Sequence, residues 1–343
     1  MKERLLYLDW LRLFSTFMVV TIHISAPIVG IPYYDAPSSW LGANFYESIS
    51  RASVPLFVMI SGALLLGDHR DISYKGFLSK RVSKIFIPLV CWSFIYYVYQ
   101  VIDHWYPSFS IKQFISMFLA DSISMHFWFM YMILGIYLTT PIIKIFINHA
   151  KKRDIEYFLI LWFYVSFIVK IMVKYIGLSF NIELFHVTNY IGFFVLGYYL
   201  SHFEWKRVGG KMSLLITFIG MSLTFFLTYF FTIKDGGIFH DFWYNYHTFG
   251  VLLSAVGTFL LCKHYLSKIK LGALFYSLNR LSFGIYLVHI LVMWIFADSV
   301  ISRLQALFHP ILSIPLTVIF VVAVSGLLTI VISKIPIVKK LIP

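Results

Sequence analysis

RLFSTFMVVTIH, residues 12–23, decides how this chain is read. It begins with an arginine, ends with a histidine, and carries only apolar and hydroxyl residues between them. With its neighbours it forms a predicted span over 9–29, about 20 residues, which at about 1.5 Å per residue crosses a hydrocarbon layer of about 30 Å. It is too long for a signal-peptide core and lacks a small-residue cleavage site, so it reads as a retained first helix. The rotation from Arg12 to His23 is about 1100°, three turns plus roughly 20°, so both side chains leave one face. The rise is about 16 Å, which leaves Arg12 at the membrane edge and puts His23 at or beyond mid-membrane. An arginine there also serves as a snorkelling anchor, whereas an imidazole that deep marks function by default.

The rest of the chain repeats the apolar pattern. Its 343 residues are 60% hydrophobic, 20% aromatic and only 13% charged, more apolar surface than a soluble domain can hide. Further spans read at 52–67, 84–103, 127–147, 156–176, 187–202, 212–233, 247–264, 279–297 and 312–333. The fold class is therefore an all-α integral membrane protein of about ten transmembrane helices, with both termini on one side. That side is the cytoplasm by the distribution of bases. Of 28 Lys and Arg residues, all but Arg51, Lys112, Lys170, Lys174, Lys234 and Arg303 fall on it, a bias that sets orientation. The net charge of +13 is thus a topology signal, and no cluster reads as a nucleic-acid surface. Cys91 and Cys262 lie inside spans, with neither a disulfide framework nor metal-ligand spacing, so no metal is expected. Residues 1–343 read as one membrane-embedded domain with no appended soluble domain. There is no internal repeat, which weakens a transporter reading.

Other polar residues join the stripe. His289, in LSFGIYLVHILVM, sits near mid-membrane in the ninth span, where it could share a pocket with His23 or make a helix-packing hydrogen bond. Ser61 and Gly62, in SVPLFVMISGALLL (53–66), form a small notch of the kind that lets helices approach. Arg51 stands at the outer start of that span, after an outer loop over 30–51; it either holds an anionic acceptor or anchors at the interface. MHFWFMYMILGIYLTTPII (125–143) brings His126, Trp128 and Tyr131 to the outer side, where aromatics form a belt or stack on sugar rings. His240 and His247 belong to a similar rim. Within the inner loop, LSKRVSKIFIP (78–88) gathers Lys80, Arg81 and Lys84, which would attract phosphate.

Taken together, the Arg12–His23 stripe after LDWLR, VPLFVMISG, KRVSKIFIP, HFWFMYMILGIYLTTPI and FGIYLVH resemble, in matching order, the acyltransferase 3 family of bacterial integral-membrane O-acyltransferases. SRASVPLFVMISG is similar to the branch that O-acetylates lipid-linked surface polysaccharide such as enterobacterial common antigen. The resemblance implies acetyl-CoA as cytoplasmic donor, a glycan or lipid-linked glycan acceptor at the outer face, and an inner-membrane location among membrane lipid. The family's motif histidine maps onto His23 and its motif arginine onto Arg12. Its Arg-x-x-Arg loop motif reads Arg81-Val82-Ser83-Lys84 here, which keeps the charge and loses one bidentate fork. Some relatives carry a C-terminal hydrolase-like domain; this chain stops after the tenth span.

From these residues we expect CoA phosphates near Arg12, Arg81, Lys84 and Lys80. His23 acts as general base or takes the acyl group itself. His289 or Ser61 donates to the oxyanion, and Arg51, Ser61, His126, Trp128 and His289 contact substrate. A secondary transporter of a glycan or lipid intermediate is the rival reading, with His23 as a proton relay. A sensor without chemistry is the third.

Overall fold

The computed structural model describes residues 5–68, 74–177, 189–205, 208–335 and 341–342. Every regular element among them is helical, and no strand occurs. The bases Lys2, Arg4, Arg70, Lys206, Arg207, Lys339 and Lys340 lie outside the described residues, as does the start of the expected span 187–202.

The chain opens with α1 (Leu6–Val29), and α2 (Pro37–Ser50) and α3 (Ser53–Leu65) follow. Then come α4 (Tyr74–Ile102), a short α5 (Ile111–Leu119) and α6 (Trp128–His149). Next is α7 (Lys152–Phe163), which continues through π-helical turns to Ile176. The second half holds α8 (Tyr190–His202), α9 (Gly210–Lys234), α10 (Phe249–Tyr265), α11 (Ala273–Ile295), α12 (Ser302–Leu307) and α13 (Pro310–Lys334). Nine helical segments among the described residues are long and apolar enough to cross a membrane. The helix α8, at 13 residues, is shorter than these.

Two segments differ from the sequence reading. Residues 30–51 are not an outer loop: Pro37 opens α2 at a first-turn position, where its missing N–H costs nothing. The helix α2 buries Trp40, Ala43, Asn44, Glu47 and Ser48. It packs on α1, and the Trp40 indole donates to the Val29 carbonyl at 3.1 Å. Hydropathy starts the second span too late because this face is polar; the polar groups are satisfied inside the protein. Together α2 and α3 make one candidate span, Pro37–Leu65, interrupted at Arg51 and Ala52. The interruption has a covalent cause: Pro55 has no N–H to give the Arg51 carbonyl four residues earlier. Arg51 therefore sits within the span and not at its outer start.

The second difference concerns the basic segment 78–88. It forms the first turns of the 29-residue α4 and not a loop. Lys and Arg are good helix formers whose stems cover apolar surface, so their charges end an apolar run without ending the helix.

Close packing of α3 on α8 fixes the centre. A Cβ added at Gly62 would overlap the Phe194 carbonyl, and one at Gly197 the Met59 carbonyl. Each glycine therefore seats the other helix's backbone, as small residues do where membrane helices touch. Phe193, Phe194, Met59 and Leu56 fill the seam, all 0% exposed.

Gly62→Ala should separate α3 from α8 and cost about 1–3 kcal/mol, the usual penalty for overpacking. Gly135 has open space where its Cβ would go, so Gly135→Ala should leave stability unchanged or slightly raised. Thermal unfolding midpoints of the two variants in detergent check this contrast.

Candidate active site

A cavity of about 710 Å³ opens at the end of the bundle where α1 begins, within the range of about 300–1,000 Å³ common to ligand sites. Arg12 and Asp9 come to it from α1, Ser61 from α3, Arg81 and Ile85 from α4, and Tyr286 from α11. Deeper along α1 lies a second space of about 40 Å³, lined by His23, His126, Trp128 and Tyr246 among others. Phe57, Phe129 and Tyr286 border both. Their ring centroids stand 5.8 Å (Phe57 to Phe129) and 5.6 Å (Phe129 to Tyr286) apart, so three rings form a neck between the spaces. The stripe drawn from Arg12 to His23 thus runs past two adjacent spaces that share these three rings.

At the mouth, Arg12 is oriented by its neighbours. Its guanidinium lies 3.6 Å from the Asp9 carboxylate, and Asn279 donates to the same carboxylate at 3.1 Å. Asp9, 8% exposed, therefore ties α1 to α11 while it holds the arginine. Arg81 lines the cavity on the α4 face that also carries Ile85. Lys80 and Lys84 are exposed on the same helix and do not line it.

Beyond the neck, three imidazoles meet. The His23 ring centroid is 5.2 Å from His289 and 6.5 Å from His126, and His126 is 5.1 Å from His289. His289 is fully buried, and its Nδ1 lies 2.7 Å from the Tyr286 carbonyl. A carbonyl only accepts, so Nδ1 carries the proton and Nε2 is left as a bare lone pair. That Nε2 has no hydrogen-bond partner among the described residues. His126 is held by Ser124 Oγ at 2.9 Å from its Nδ1, and its Nε2 is also buried and unpartnered. Of the two, only His126 lines the small space.

Tyr96 braces α11 two residues from His289. The Tyr96 hydroxyl donates to the Leu287 carbonyl at 3.0 Å and accepts from the Leu291 N–H at 2.9 Å. It thereby bonds both the acceptor and the donor of one i, i+4 pair of that helix. Tyr286, one turn away, donates through its hydroxyl to the His126 carbonyl at 2.5 Å. Two tyrosines therefore fix the two histidines relative to each other.

Arg51 faces this cluster from the break between α2 and α3. Its Nη2 lies 2.5 Å from Glu47 Oε2, and Glu47 is 0% exposed. The guanidinium carbon stands 4.4 Å over the Tyr244 ring, a cation–π contact. The Tyr244 hydroxyl donates to Asn44 Oδ1 at 2.5 Å, and Ser48 donates to the same oxygen at 3.1 Å. Arg51 is thus a half-buried charge paired with Glu47 and covered by the Tyr244 ring.

The other sequence candidates separate cleanly. Trp128 lines the small space and packs against Tyr190 and Tyr246, at 5.7 and 5.6 Å, so it belongs to the site as well as to the rim. Ser61 lines the large cavity only and donates to the Phe57 carbonyl at 3.0 Å. It lies on the Arg12 side of the neck, apart from the imidazoles. His240 pairs with Asp235 at 2.6 Å, and His247 is buried among Phe167, Tyr190 and Phe193. Sequence reasoning missed Asp9, Glu47, Tyr96, Tyr246, Tyr286 and Asn279. Asp9 had a signal in its i, i+3 spacing to Arg12, and Glu47 in its i, i+4 spacing to Arg51. The tyrosines had none, because an aromatic in a span is ordinarily packing. No group of three or more His, Cys, Asp or Glu among the described residues is arranged to hold a metal ion.

A family model described as an acyltransferase domain matches residues 5–330 of the chain. That match runs from the start of α1 almost to the end of α13. No curated protein and no solved structure matches.

Arg51→Ala should strand the Glu47 carboxylate in the protein interior and cost about 3–5 kcal/mol, as breaking a buried pair does. Replacing both partners, Glu47→Leu with Arg51→Met, should recover most of that loss. Thermal unfolding of the single and double variants measures the difference.

Proposed function

The chain belongs to the acyltransferase 3 family, and from that premise we propose that it moves an acetyl group from acetyl-CoA on the cytoplasmic side to a hydroxyl of an envelope polysaccharide, or of its lipid-linked precursor, at the outer face of the inner membrane. The observation that carries this reading is the pair of spaces joined at one aromatic neck. Arginines line one end and three imidazoles cluster at the other.

Arg12 and Arg81 supply positive charge where the phosphates of the donor enter, and Arg81 offers a planar fork for one of them. The exposed Lys80 and Lys84 add to the field around the mouth without reaching into it. Apolar walls from α3, α4 and α6 accept the extended arm of the donor. The rise of about 16 Å between Arg12 and His23 separates phosphate from thioester along that arm. His23 stands where the thioester arrives. Neither of its ring nitrogens makes a hydrogen bond to another described residue, so both remain available to the reactants.

The acceptor hydroxyl gives its proton to His23 as its oxygen attacks the thioester carbon. A carbon–oxygen bond forms, the carbonyl electron pair moves to oxygen, and collapse breaks the carbon–sulfur bond. His23 returns the proton to the departing thiolate. His289, with its lone pair fixed at Nε2, is packed behind His23 with the ring centroids 5.2 Å apart. A thioester needs little activation, so placement and one base supply most of the rate. Trp128 and Tyr246 offer flat faces to an incoming sugar ring.

The test uses purified protein in liposomes with radiolabelled acetyl-CoA. His23→Ala should lower transfer by about 10²–10⁴-fold, the usual span for a general base, with donor binding retained. Arg12→Ala should weaken donor binding, by about tenfold for each 1.4 kcal/mol of lost contact. Failure of the folded wild type to bind acetyl-CoA would sink this reading.

A further inference from the structure

Acyl transfer through a tetrahedral intermediate needs a hydrogen-bond donor for the oxygen that gains charge, and Ser61 lies on the wrong side of the neck to be that donor. Besides His23, the wall of the small space carries the polar side chains of His126, Trp128, Tyr246 and Tyr286. The Tyr286 hydroxyl already donates to the His126 carbonyl at 2.5 Å. Trp128, with its indole N–H, and Tyr246, with its hydroxyl, are half-buried. His126 is different: it is 2% exposed, and its Nε2 is buried with no hydrogen-bond partner among the described residues. A buried polar nitrogen without a partner is costly to keep, and this one belongs to a ring that lines the space where His23 stands.

Ser124 decides where the proton sits on that ring. The Ser124 Oγ lies 2.9 Å from His126 Nδ1, and Ser124 is 5% exposed. Its hydroxyl makes no other hydrogen bond among the described residues. A buried hydroxyl with one partner spends its single proton there, so Nδ1 accepts and Nε2 carries the N–H. This tautomer is the reverse of that of His289, whose Nδ1 gives its proton to the Tyr286 carbonyl. The His126 ring is also held still. It packs against Phe127, His289 and Tyr96 with centroids 4.2, 5.1 and 5.3 Å away. A donor fixed in advance needs no reorganisation when charge appears, as an oxyanion site requires. The centroids of His23 and His126 stand 6.5 Å apart with the rings at 79°, close enough for one reacting group to touch both.

We propose that the Nε2–H of His126, set by Ser124, is the catalytic donor that receives the oxyanion formed on the acyl carbonyl beside His23. The proposal rests on the acyl-transfer reading above and adds a catalytic residue to it. In balanced form, the acceptor oxygen bonds to the carbonyl carbon, its proton passes to His23, and the carbonyl electron pair moves to the oxygen facing His126. The N–H of His126 shortens its bond to that oxygen as charge develops and keeps its own proton throughout. When the carbonyl re-forms, the carbon–sulfur bond breaks and the thiolate takes the proton from His23. The two imidazoles divide the work: His23 takes and returns a proton, and His126 only donates a hydrogen bond. Ser124 is a positioning residue that acts through the ring by fixing its tautomer.

The experiment compares wild type, His126→Phe and His126→Gln in the same liposome assay, with thermal midpoints recorded for each. His126→Phe keeps a flat ring and removes the donor, so kcat should fall about 10²–10³-fold, the usual loss of one oxyanion donor, with KM for acetyl-CoA within about twofold. His126→Gln returns a side-chain N–H and should recover at least about tenfold of that loss, an outcome that a purely structural role would not give. Ser124→Ala frees the tautomer and should lower kcat with KM unchanged, and Ser124→Thr, which keeps the hydroxyl, should restore it. Trp128→Phe and Tyr246→Phe keep their flat faces and remove the competing N–H and O–H; each should lower kcat less than His126→Phe does. Active wild type together with His126→Phe inside about threefold of it overturns this proposal and leaves the acyl-transfer reading standing. The proposal also falls if His126→Gln is no better than His126→Phe, or if Trp128→Phe or Tyr246→Phe shows the larger kcat loss. Inactive wild type overturns the acyl-transfer reading itself.

Discussion

Inside a hydrocarbon layer, a polar group has only the protein to bond to, and this bundle is arranged around that constraint. Its two arginine–carboxylate pairs show this first. Asp9 holds Arg12 and receives Asn279 from α11. Glu47 holds Arg51, and a tyrosine ring covers the cation's face. The Tyr96 hydroxyl serves a carbonyl and an N–H of α11 at once. These local closures also decide where helices break, which residues face inward, and how three histidines come together. Packing does the rest, most tightly where Gly62 and Gly197 let α3 and α8 touch through their backbones.

The two arginines of the first three helices show how one residue type serves two purposes. Arg12 stays at a cavity mouth, steered by a carboxylate three residues away and still lining open space. Arg51 is enclosed, with its charge cancelled at one end and pressed against aromatics at the other. Enclosure of that kind is expensive for stability, and such residues in a membrane are ordinarily retained for work. Neither role follows from the residue name; both follow from what surrounds it.

Much of the fold was legible because long hydrophobic runs are a strong signal. The spans of α1, α6, α9 and α13 lie close to where hydropathy puts them. The second span was misplaced because the polar side of α2, with Asn44, Glu47 and Ser48, reads as solvent-facing when only water is considered as a partner. The start of α4 was misplaced for a similar reason, since helix and apolar run end at different residues when Lys and Arg continue the turn. In the site, the 3.6-residue period linked Arg12 to His23 along one helix. It could not bring in His126 and Tyr246, which arrive from distant loops and meet His23 only through tertiary packing. His289 was visible by depth alone, and its fixed tautomer needed the Tyr286 carbonyl.

The aromatic neck has an electrical consequence. The larger cavity is open at one end, so the solution that fills it carries the potential of that side inward as far as Phe57, Phe129 and Tyr286. A membrane voltage then falls mainly across the remaining thickness and not evenly over the bilayer. A full crossing is worth about 2.3 kcal/mol per elementary charge at 100 mV, and a water-filled cavity would place a larger share of it on the layer that holds His23, His126, His289 and Arg51. Any proton that moves among those groups along the membrane normal moves through that steepened field. The energised state of the membrane would thereby act on the charges in its middle.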